Sequence, residues 1–136
     1  MAEKLQLEVV TPDRSVVSES VDIVMAMGAL GEFGILPNHI PSLTLLQPGE
    51  LRYRKDNKLE YMAVTVGFAE ISNNKVTVLA EEDDKPREID IDRAKRAKER
   101  AEKRLARAKS EDIDYTRAEM ALKSALLRLR IAEKGR

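Results

Sequence analysis

Cysteine is absent from the 136 residues, and histidine occurs only once, as His39. Without cysteine the chain has no disulfide, no thiolate nucleophile and no cysteine-ligated zinc site. No apolar run approaches the roughly 20 residues that span a bilayer. The first residues, MAEKLQLEVV, also lack the basic and apolar regions of a signal peptide. We therefore expect a soluble, unexported protein.

The sequence motifs of common catalytic and phosphate-binding loops are missing as well. The chain contains no GxSxG, HExxH or GxGxxG, and no GxxxxGK followed by Ser or Thr. One histidine with scattered carboxylates matches neither a metal-ligand spacing nor a nucleophile–base pair. We interpret His39 as a turn residue whose ring is satisfied by backbone groups or by a partner. Gly28, Gly31 and Gly34 are interpreted as bulges and tight corners between strands.

Charge is distributed unevenly along a chain whose formal net charge is zero. Residues 1–80 contain 7 Lys+Arg and 10 Asp+Glu, whereas residues 81–136 contain 17 and 14. Within the second part, residues 93–109 hold nine Lys and Arg against only Glu99 and Glu102. This asymmetry indicates two segments of different character within one small chain.

The first segment alternates with a period of two, which is typical of half-buried β-strands. In KLQLEVV, Leu5, Leu7 and Val9 alternate with polar neighbours. Similar stretches follow, separated by turn signals such as Pro48-Gly49 and Asn73-Asn74. These stretches are RSVVSESVDIVMAM, SLTLL, ELRYRK, LEYMAVTVGFAEI and KVTVLAE. Short, evenly spaced strands of this kind favour an antiparallel sandwich or barrel.

After Pro86 the hydrophobic period changes to that of helices. Two alanine-rich faces recur at spacings of three and four and are separated by SEDID, so the two helices are expected to form an antiparallel hairpin. The faces are Ala94, Ala97, Ala101, Leu105 and Ala108, then Ala118, Ala121, Ala125, Leu129 and Ala132. The predicted N-caps are Asp90 for the first helix and Ser110, Asp112 or Asp114 for the second. The predicted fold is therefore α+β, with a sandwich domain at residues 1–86 and a helical hairpin domain at residues 87–136.

A hairpin closed mainly by alanine is expected to be held weakly. A buried alanine contributes about 0.8 kcal/mol, where a leucine contributes about 1.5–3 kcal/mol. The helices themselves remain good helix formers, because Ala, Arg, Lys, Glu and Leu dominate their composition. We therefore hypothesise that the hairpin opens or undocks without unfolding. Slow amide exchange throughout residues 91–133 would contradict this hypothesis.

The basic stretch at residues 93–109 has two interpretations. One is a solvated face, which is the usual fate of a charge run. The other is contact with an acidic partner, because an excess of seven positive charges is more than i,i+4 pairing neutralises. A nucleic acid is the less favoured partner, since the stretch contains no aromatic side chain on which bases stack.

The segment EIDIDRAKRAKER raises the question of an anion site. If Asp90 caps the helix, Arg93 sits in the first turn, where the helix dipole disfavours a cation. A bound anion resolves this conflict, with Arg100 two turns along the same face and Arg128 approaching from the second helix. The alternative is that Asp90 is an ordinary cap, which accounts for its presence by itself.

Two segments carry a resemblance to a known family. GEFGILPNHIPSLTLLQPGELR closely resembles the signature of the epsilon subunit of F-type ATP synthase. IDIDRA is similar to that family's C-terminal motif, Ile/Leu-Asp-x-x-Arg-Ala. The resemblance covers essentially the whole chain, and the bacterial form with a full helical hairpin is the nearest likeness.

This resemblance implies a non-catalytic rotor subunit. The first domain would be a β-sandwich of about ten strands that binds the gamma subunit and the c-ring, with Glu32 towards the c-ring and His39 near gamma. The hairpin would inhibit ATP hydrolysis by extending into the catalytic head, where its basic helix meets the alpha and beta subunits. The basic contacts would come from Arg93, Arg96, Arg100 and Arg104. The complex, rather than this chain, would provide the membrane contact at the cytoplasmic face of the bacterial plasma membrane.

Some bacterial members of the family bind ATP on the folded hairpin. The matching positions here are Asp84, Ile89, Asp90, Arg93, Ala94, Arg100 and Arg128. Asp84 stands where an ATP-binding member has glutamate, and Ser124 stands where such a member has arginine. Because losing one charge-assisted contact costs about 1.5–3 kcal/mol, the resemblance implies a weakened ATP site. ATP would be a regulatory ligand, no cofactor is required, and the sequence leaves the role of Mg²⁺ open.

Overall fold

A computed structural model describes residues 3–107 and 113–134 of the chain, with the backbone alone for residues 113 and 114. The predicted cap candidates Ser110 and Asp112, the side chain of Asp114 and the predicted seam residue Ala108 lie outside this description. The described elements, in chain order, are β1 (Leu5–Val10), β2 (Ser15–Val21), β3 (Ile23–Gly28), β4 (Gly31–Ile35), β5 (Ser42–Leu46), β6 (Gly49–Lys55), β7 (Lys58–Val64), β8 (Gly67–Ser72), β9 (Lys75–Ala80), β10 (Asp83–Asp84), a 3-10 helix (Pro86–Glu88), α1 (Ile91–Arg107) and α2 (Ile113–Lys134).

The ten strands form one continuous sheet that folds over a shared core as a sandwich. The hydrogen-bonded order is β10-β7-β6-β3-β5-β8-β9-β1-β2, and β4 pairs with β3. All of these pairs are antiparallel except β1 with β9, which is parallel. The predicted α+β class, with an N-terminal sandwich and two C-terminal helices, is confirmed, whereas the single parallel pair was not predicted.

The sandwich encloses an aliphatic core. The predicted alternation of β1 is confirmed, because Leu5, Leu7 and Val9 are fully buried while their neighbours are half-buried. Ile71 of β8 and Val78 of β9 join the same core. Each such side chain contributes about 1.5–3 kcal/mol of burial free energy, so the sandwich supplies most of the apolar stabilisation.

Two strands escaped prediction. Gly31–Ile35 forms β4, which pairs with β3 from Gly28↔Gly31 to Val24↔Ile35. The interpretation of Gly34 as a corner is therefore wrong, since Gly34 lies inside this strand. Of Gly28, Gly31 and Gly34, Gly31 alone, with φ 125°, has the backbone conformation that favours glycine. The other missed strand, β10, has two residues and is too short for any period to reveal it.

The helices pack against each other, and α2 also packs on β6, β7 and the 3-10 helix. Ala94 and Ala101 of α1 and Ala118 and Ala125 of α2 are buried, so the predicted alanine seam is confirmed at these positions. Ala121 is exposed, contrary to prediction. A regular spacing of three and four therefore marked the correct face without fixing which of its members are covered.

A second buried face of α2 was missed. Leu127 lies two residues beyond Ala125, which places it about 200° around the helix axis. Leu127 and Ile131 pack with Ala63 of β7 and with Ile89. Because α2 buries alanine on one side and leucine and isoleucine on the other, it lies between α1 and the sandwich. The alanine seam alone underestimates how the hairpin is held.

Candidate functional site

A cleft of about 450 Å³ lies between the hairpin and the edge of the sandwich. This volume falls within the range of small-molecule sites. Its walls are Thr11, Asp13, Arg14, Glu81, Glu82, Asp83, Asp84, Glu88, Ile89, Asp90, Arg93, Ala94, Ala97, Arg100, Ala125 and Arg128. All seven positions matched to the ATP-binding family members are among these walls, namely Asp84, Ile89, Asp90, Arg93, Ala94, Arg100 and Arg128. The start of α1 meets the second half of α2 here, as the antiparallel hairpin requires.

The start of α1 forms one end of the cleft. The Asp90 Oδ1 atom accepts a hydrogen bond from the Arg93 backbone N–H at 3.1 Å. The Asp90 carbonyl accepts another from the Ala94 N–H at 3.0 Å. The predicted N-cap is therefore confirmed. The cap leaves the exposed Arg93 side chain in the first turn, at the positive end of the helix dipole, where a cation is disfavoured and an anion favoured.

Arg128 connects α2 to the acidic edge of the sandwich. Its Nε atom donates to Asp84 Oδ2 at 2.8 Å, and its Nη2 atom pairs with the Glu82 carboxylate. By contrast, neither Arg93 nor Arg100 forms an ion pair with any residue in the ranges that the structure describes. Of the three arginines predicted at the anion site, Arg93 and Arg100 are thus unpaired within the described ranges, and Arg128 is held by carboxylates.

Carboxylates outnumber arginines around the cleft. Seven aspartates and glutamates and four arginines line it. The fourth arginine, Arg14, lies in the turn between β1 and β2 and pairs with Glu88, with 2.8 Å between Nη2 and Oε2. An anionic ligand would therefore depend on the arginines of the hairpin, because the sandwich side of the cleft repels negative charge.

Asp83 is the unusual member of this wall. It is 3% exposed, and neither carboxylate oxygen has a hydrogen-bond partner. Burial, and to a smaller extent the neighbouring Asp84, raise the pKa of Asp83 to about 7 against the opposing effect of Arg14. Asp83 was not predicted from the sequence, since a run of acidic residues carries no sign of which one is buried.

Nothing in the described part of the chain forms a metal site. No three histidine or acidic side chains there converge on a common point. The described helices also include none that is long and apolar enough to cross a membrane.

Comparison with known proteins matches both parts of the chain to the same family. The family model described as "ATP synthase, Delta/Epsilon chain, beta-sandwich domain" matches residues 4–83, and "ATP synthase, Delta/Epsilon chain, long alpha-helix domain" matches residues 87–133. The chain belongs to this ATP synthase delta/epsilon family.

Curated relatives carry the name ATP synthase epsilon chain. The one from Syntrophobacter fumaroxidans is 52% identical, covering 98% of this chain and 99% of its own length. The one from Nitratidesulfovibrio vulgaris is 53% identical, covering 96% and 97%. A similar relative from Geobacter sulfurreducens is 47% identical over 99% of this chain. The epsilon chain is thus matched over nearly its full length.

Solved structures share the fold. A chain in the Euglena gracilis mitochondrial ATP synthase, described as OSCP/F1/c-ring, aligns with a TM-score of 0.80 at 23% identity, covering 98% of this chain and 83% of that chain. A chain in the Tetrahymena thermophila mitochondrial ATP synthase central stalk and c-ring aligns with a TM-score of 0.56 at 17% identity. At these identities the comparison establishes the sandwich-plus-helices architecture.

The residues predicted to contact partners lie on exposed or half-buried surfaces. Glu32 is exposed on β4 and pairs with Arg52 of β6. His39 is half-buried, and its Nδ1 atom lies 2.7 Å from the carbonyl oxygen of Ile40. Its ring therefore bonds to the backbone, as the sequence analysis predicted for a turn histidine. On α1, the side chains of Arg93, Arg96, Arg100 and Arg104 are all exposed.

One apolar surface was missed by the sequence analysis. Phe68 of β8 lies opposite Leu45 of β5 and Leu79 of β9, and the three side chains are about half exposed. Leu43 of β5 extends this row and is 70% exposed. Period-two alternation predicts polar residues on the outer face of a strand. Apolar residues on both faces of these strands were the available signal in the sequence for an exposed apolar surface.

Proposed function

We propose that the chain is the epsilon subunit of an ATP synthase central stalk and that its sandwich joins the gamma subunit to the c-ring. The subunit carries out no chemistry of its own. Two surfaces support this role: the apolar row of Leu43, Leu45, Phe68 and Leu79 suits a protein partner, and Glu32 presents a charged group near the start of β4. Gamma is assigned to the apolar row and the neighbouring His39 loop, and the c-ring to Glu32.

We further propose that the hairpin restrains ATP hydrolysis. The support is that α1 turns a basic face outward while α2 alone of the two helices packs substantially on the sandwich. Loss of the contacts of Leu127 and Ile131 would therefore free both helices together. A released basic helix suits acidic segments of the alpha and beta subunits. The functional boundary is placed at residue 86, between the sandwich domain at 1–86 and the regulatory hairpin at 87–136.

The test of restraint uses the matching alpha–beta–gamma core. Full-length chain and a chain ending at Arg87 are added separately, and ATP hydrolysis is measured. We expect both to bind and only the full-length chain to suppress hydrolysis. Suppression by both, or by neither, would contradict a regulatory hairpin, and failure of both to bind would contradict the stalk assignment.

We also propose that the docked hairpin binds ATP as a regulatory ligand. The observation that carries this proposal is a cleft walled jointly by α1, α2 and β10, with Arg93 and Arg100 unpaired among the described residues. The phosphates would lie near these arginines and the capped start of α1. Ile89 and Ala94 supply apolar walls for the base, and Asp84 and Asp90 supply acceptors. Binding would favour the docked state, since undocking separates the walls.

ATP binding is tested on the isolated chain by titration calorimetry. Arg100→Gln should weaken binding by about ten- to a hundredfold, because one charge-assisted contact is lost. Arg104→Gln is the matched control: it removes the same charge one turn along α1, outside the cleft, and should change little. Ser124→Arg should strengthen binding by restoring a cation in the hairpin. Equal effects of the two glutamine variants would place ATP elsewhere.

The proposed position of the protein is peripheral, at the cytoplasmic face of the bacterial plasma membrane, and it is held there by the complex. Nucleic acid is not a proposed partner, since residues 93–109 contain no aromatic side chain. Cosedimentation with membranes carrying the c-ring, but not with protein-free lipid vesicles, is the expected result. Binding to the vesicles themselves would contradict this arrangement.

A further inference from the structure

Asp83 breaks the usual rule for buried polar groups. Among the described residues it is the one polar or charged side chain that is buried, at 3% exposure. Both of its carboxylate oxygens lack hydrogen-bond partners. Proteins pair nearly all such groups, because an unpartnered buried acceptor lowers stability. An exception of this kind, in the wall of a ligand-sized cleft, marks a position where stability depends on protonation.

The register of β10 shows what Asp83 faces. Residues directly opposite each other in an antiparallel pair share one face of the sheet. Asp83 is opposite Val64, which belongs to the sandwich core, and Asp84 is opposite Ala63, which packs against α2. The two aspartates therefore point in opposite directions. Asp83 faces the end of the sandwich core, and Asp84 faces the hairpin, where it accepts from Arg128.

The charged groups around Asp83 leave its carboxylate poorly compensated. The segment of Asp83 contributes Glu81, Glu82 and Asp84 to the cleft wall. The β1–β2 turn contributes Asp13 and Arg14, the 3-10 helix contributes Glu88, and α2 contributes Arg128. Arg14 is paired with Glu88, and Arg128 is paired with Asp84 and Glu82. The residues of β7 opposite β10 are Val64 and Ala63, and Thr65, just beyond β7, donates its backbone N–H to the Glu82 carbonyl; none of the three carries a charge. Both nearby arginines are thus already occupied.

We propose that Asp83 makes docking of the hairpin proton-sensitive: its neutral form keeps β10 in place, and its ionised form displaces β10 together with Asp84, the partner of Arg128. Asp83 and Asp84 are adjacent and make up the whole of β10, so a displacement of one moves the other. Movement of the strand carries away the carboxylate to which α2 is bonded. This proposal rests on the regulatory role of the hairpin for its biological meaning.

The direction of the pH effect follows from linkage. Burial raises the pKa of Asp83 from its ordinary 3.8 to about 7 in the docked chain. A displaced, solvated Asp83 returns to its ordinary range, so the docked state binds more protons between these values. Docking is therefore fully stabilised at low pH, weakens progressively as pH rises from about 4 to about 7, and stays at its weakest above that.

The test measures amide exchange of α2 in the full-length chain, corrected at each pH for the intrinsic exchange rate. Neither ATP nor the other subunits are needed, so failure of the proposed inhibitory function leaves this test valid. Protection of the amides at residues 127–132 should fall on the order of tenfold between about pH 5.5 and 7.5. In Asp83→Asn, which cannot ionise, protection should be nearly constant over the same range.

Asp13→Asn is the matched control, because Asp13 is an exposed carboxylate in the wall of the same cleft. It should keep the wild-type pH dependence. Constant protection in the wild type, or an unchanged fall in Asp83→Asn, would overturn the proposal. If the asparagine variant does not fold, NMR titration of the wild-type Asp83 carboxyl carbon decides: a midpoint near 7 supports the proposal, and a midpoint near 4 overturns it.

Discussion

The sandwich and the hairpin are stabilised by different kinds of contact. The sandwich buries a continuous set of leucine, isoleucine and valine side chains, with Leu5, Leu7, Ile71 and Val78 among its fully buried or nearly buried members. The hairpin closes on itself through alanine and is attached to the sandwich through a cluster of five buried residues, Ala63, Ile89, Leu127, Ile131 and Ala132. The sandwich is therefore the unit expected to fold by itself, while docking of the hairpin is the adjustable contact.

This difference suits a subunit whose sandwich keeps one structure while the docking of its hairpin changes with conditions. A large aliphatic core holds the strands of the sandwich rigidly, because its contacts are many and distributed. A small docking cluster supplemented by ion pairs has a free energy that one ligand or one proton can shift. Four substitutions test this comparison.

The largest expected effect comes from the sandwich core. Leu7→Ala removes a fully buried side chain and should lower the free energy of unfolding by about 2–5 kcal/mol, through lost burial and the cavity left behind. Urea denaturation measures the change. Leu43→Ala is the control on the outer face, where the side chain is 70% exposed, and should change stability by no more than about 0.5 kcal/mol. Equal losses in both variants would contradict the assigned core.

The next effect concerns the docking cluster. Ile131→Ala should weaken docking of the hairpin by about 2–3 kcal/mol, at the lower end of core truncations, because the cluster is small and near the surface. Amide exchange should accelerate in α2 while the sandwich amides keep their protection. Leu126→Ala on the same helix is the control, since Leu126 is 45% exposed. Loss of protection throughout the sandwich would show that the two parts form one cooperative unit.

A smaller effect is expected at the start of α1. Asp90→Ala removes the acceptor for the Arg93 N–H and should cost about 1 kcal/mol of helix stability. Asp90→Asn should retain most of that stability, because asparagine caps equally well. Asp92→Ala removes an acidic residue from the same first turn without touching the cap and serves as the control. Circular dichroism during thermal unfolding distinguishes the three, and equal destabilisation by Asp90→Ala and Asp92→Ala would attribute the effect to charge alone.

The smallest effect is expected at the end of α2. The Lys134 Nζ atom lies 2.8 Å from Glu50 Oε1 and 4.9 Å from the centre of the Tyr61 ring. Lys134→Met should weaken docking by about 0.2–1 kcal/mol, because the pair is partly solvated, and high salt should diminish the difference. Lys103→Met on the exposed side of α1 is the control. A loss that salt does not reduce would argue for packing rather than charge.

Much of the architecture followed from local patterns. Alternation located the strands around Leu7, and the change of period after Pro86 located both helices, because burial on one face imposes a period on any regular element. The Asp90 cap was predicted for the same local reason. By contrast, β4 was missed because Gly31 and Gly34 weaken every strand signal, although pairing with β3 supplies the missing stabilisation.

The candidate site, too, was predicted from the sequence only in part. The resemblance supplied the seven positions predicted to contact ATP, and all seven line one cleft, while ATP contact itself stays a prediction. What the sequence did not indicate is that Arg128 is already bonded to Asp84, that Leu127 faces the sandwich, and that Asp83 is buried without a partner. Each depends on residues more than forty positions apart or on the direction of a two-residue strand, so no local period records it.

The sequence by itself determined both helices and most of the strands, the cap of α1, the basic character of its outer face and the family. Only the tertiary structure decided which acidic side chain is buried, which arginines are paired and that α2 lies between α1 and the sandwich. The physical reason is that periodicity and capping are interactions within one element. Charge compensation and burial depend instead on which distant elements approach, and here the approach of β10, the β1–β2 turn and α2 leaves Asp83 without a partner.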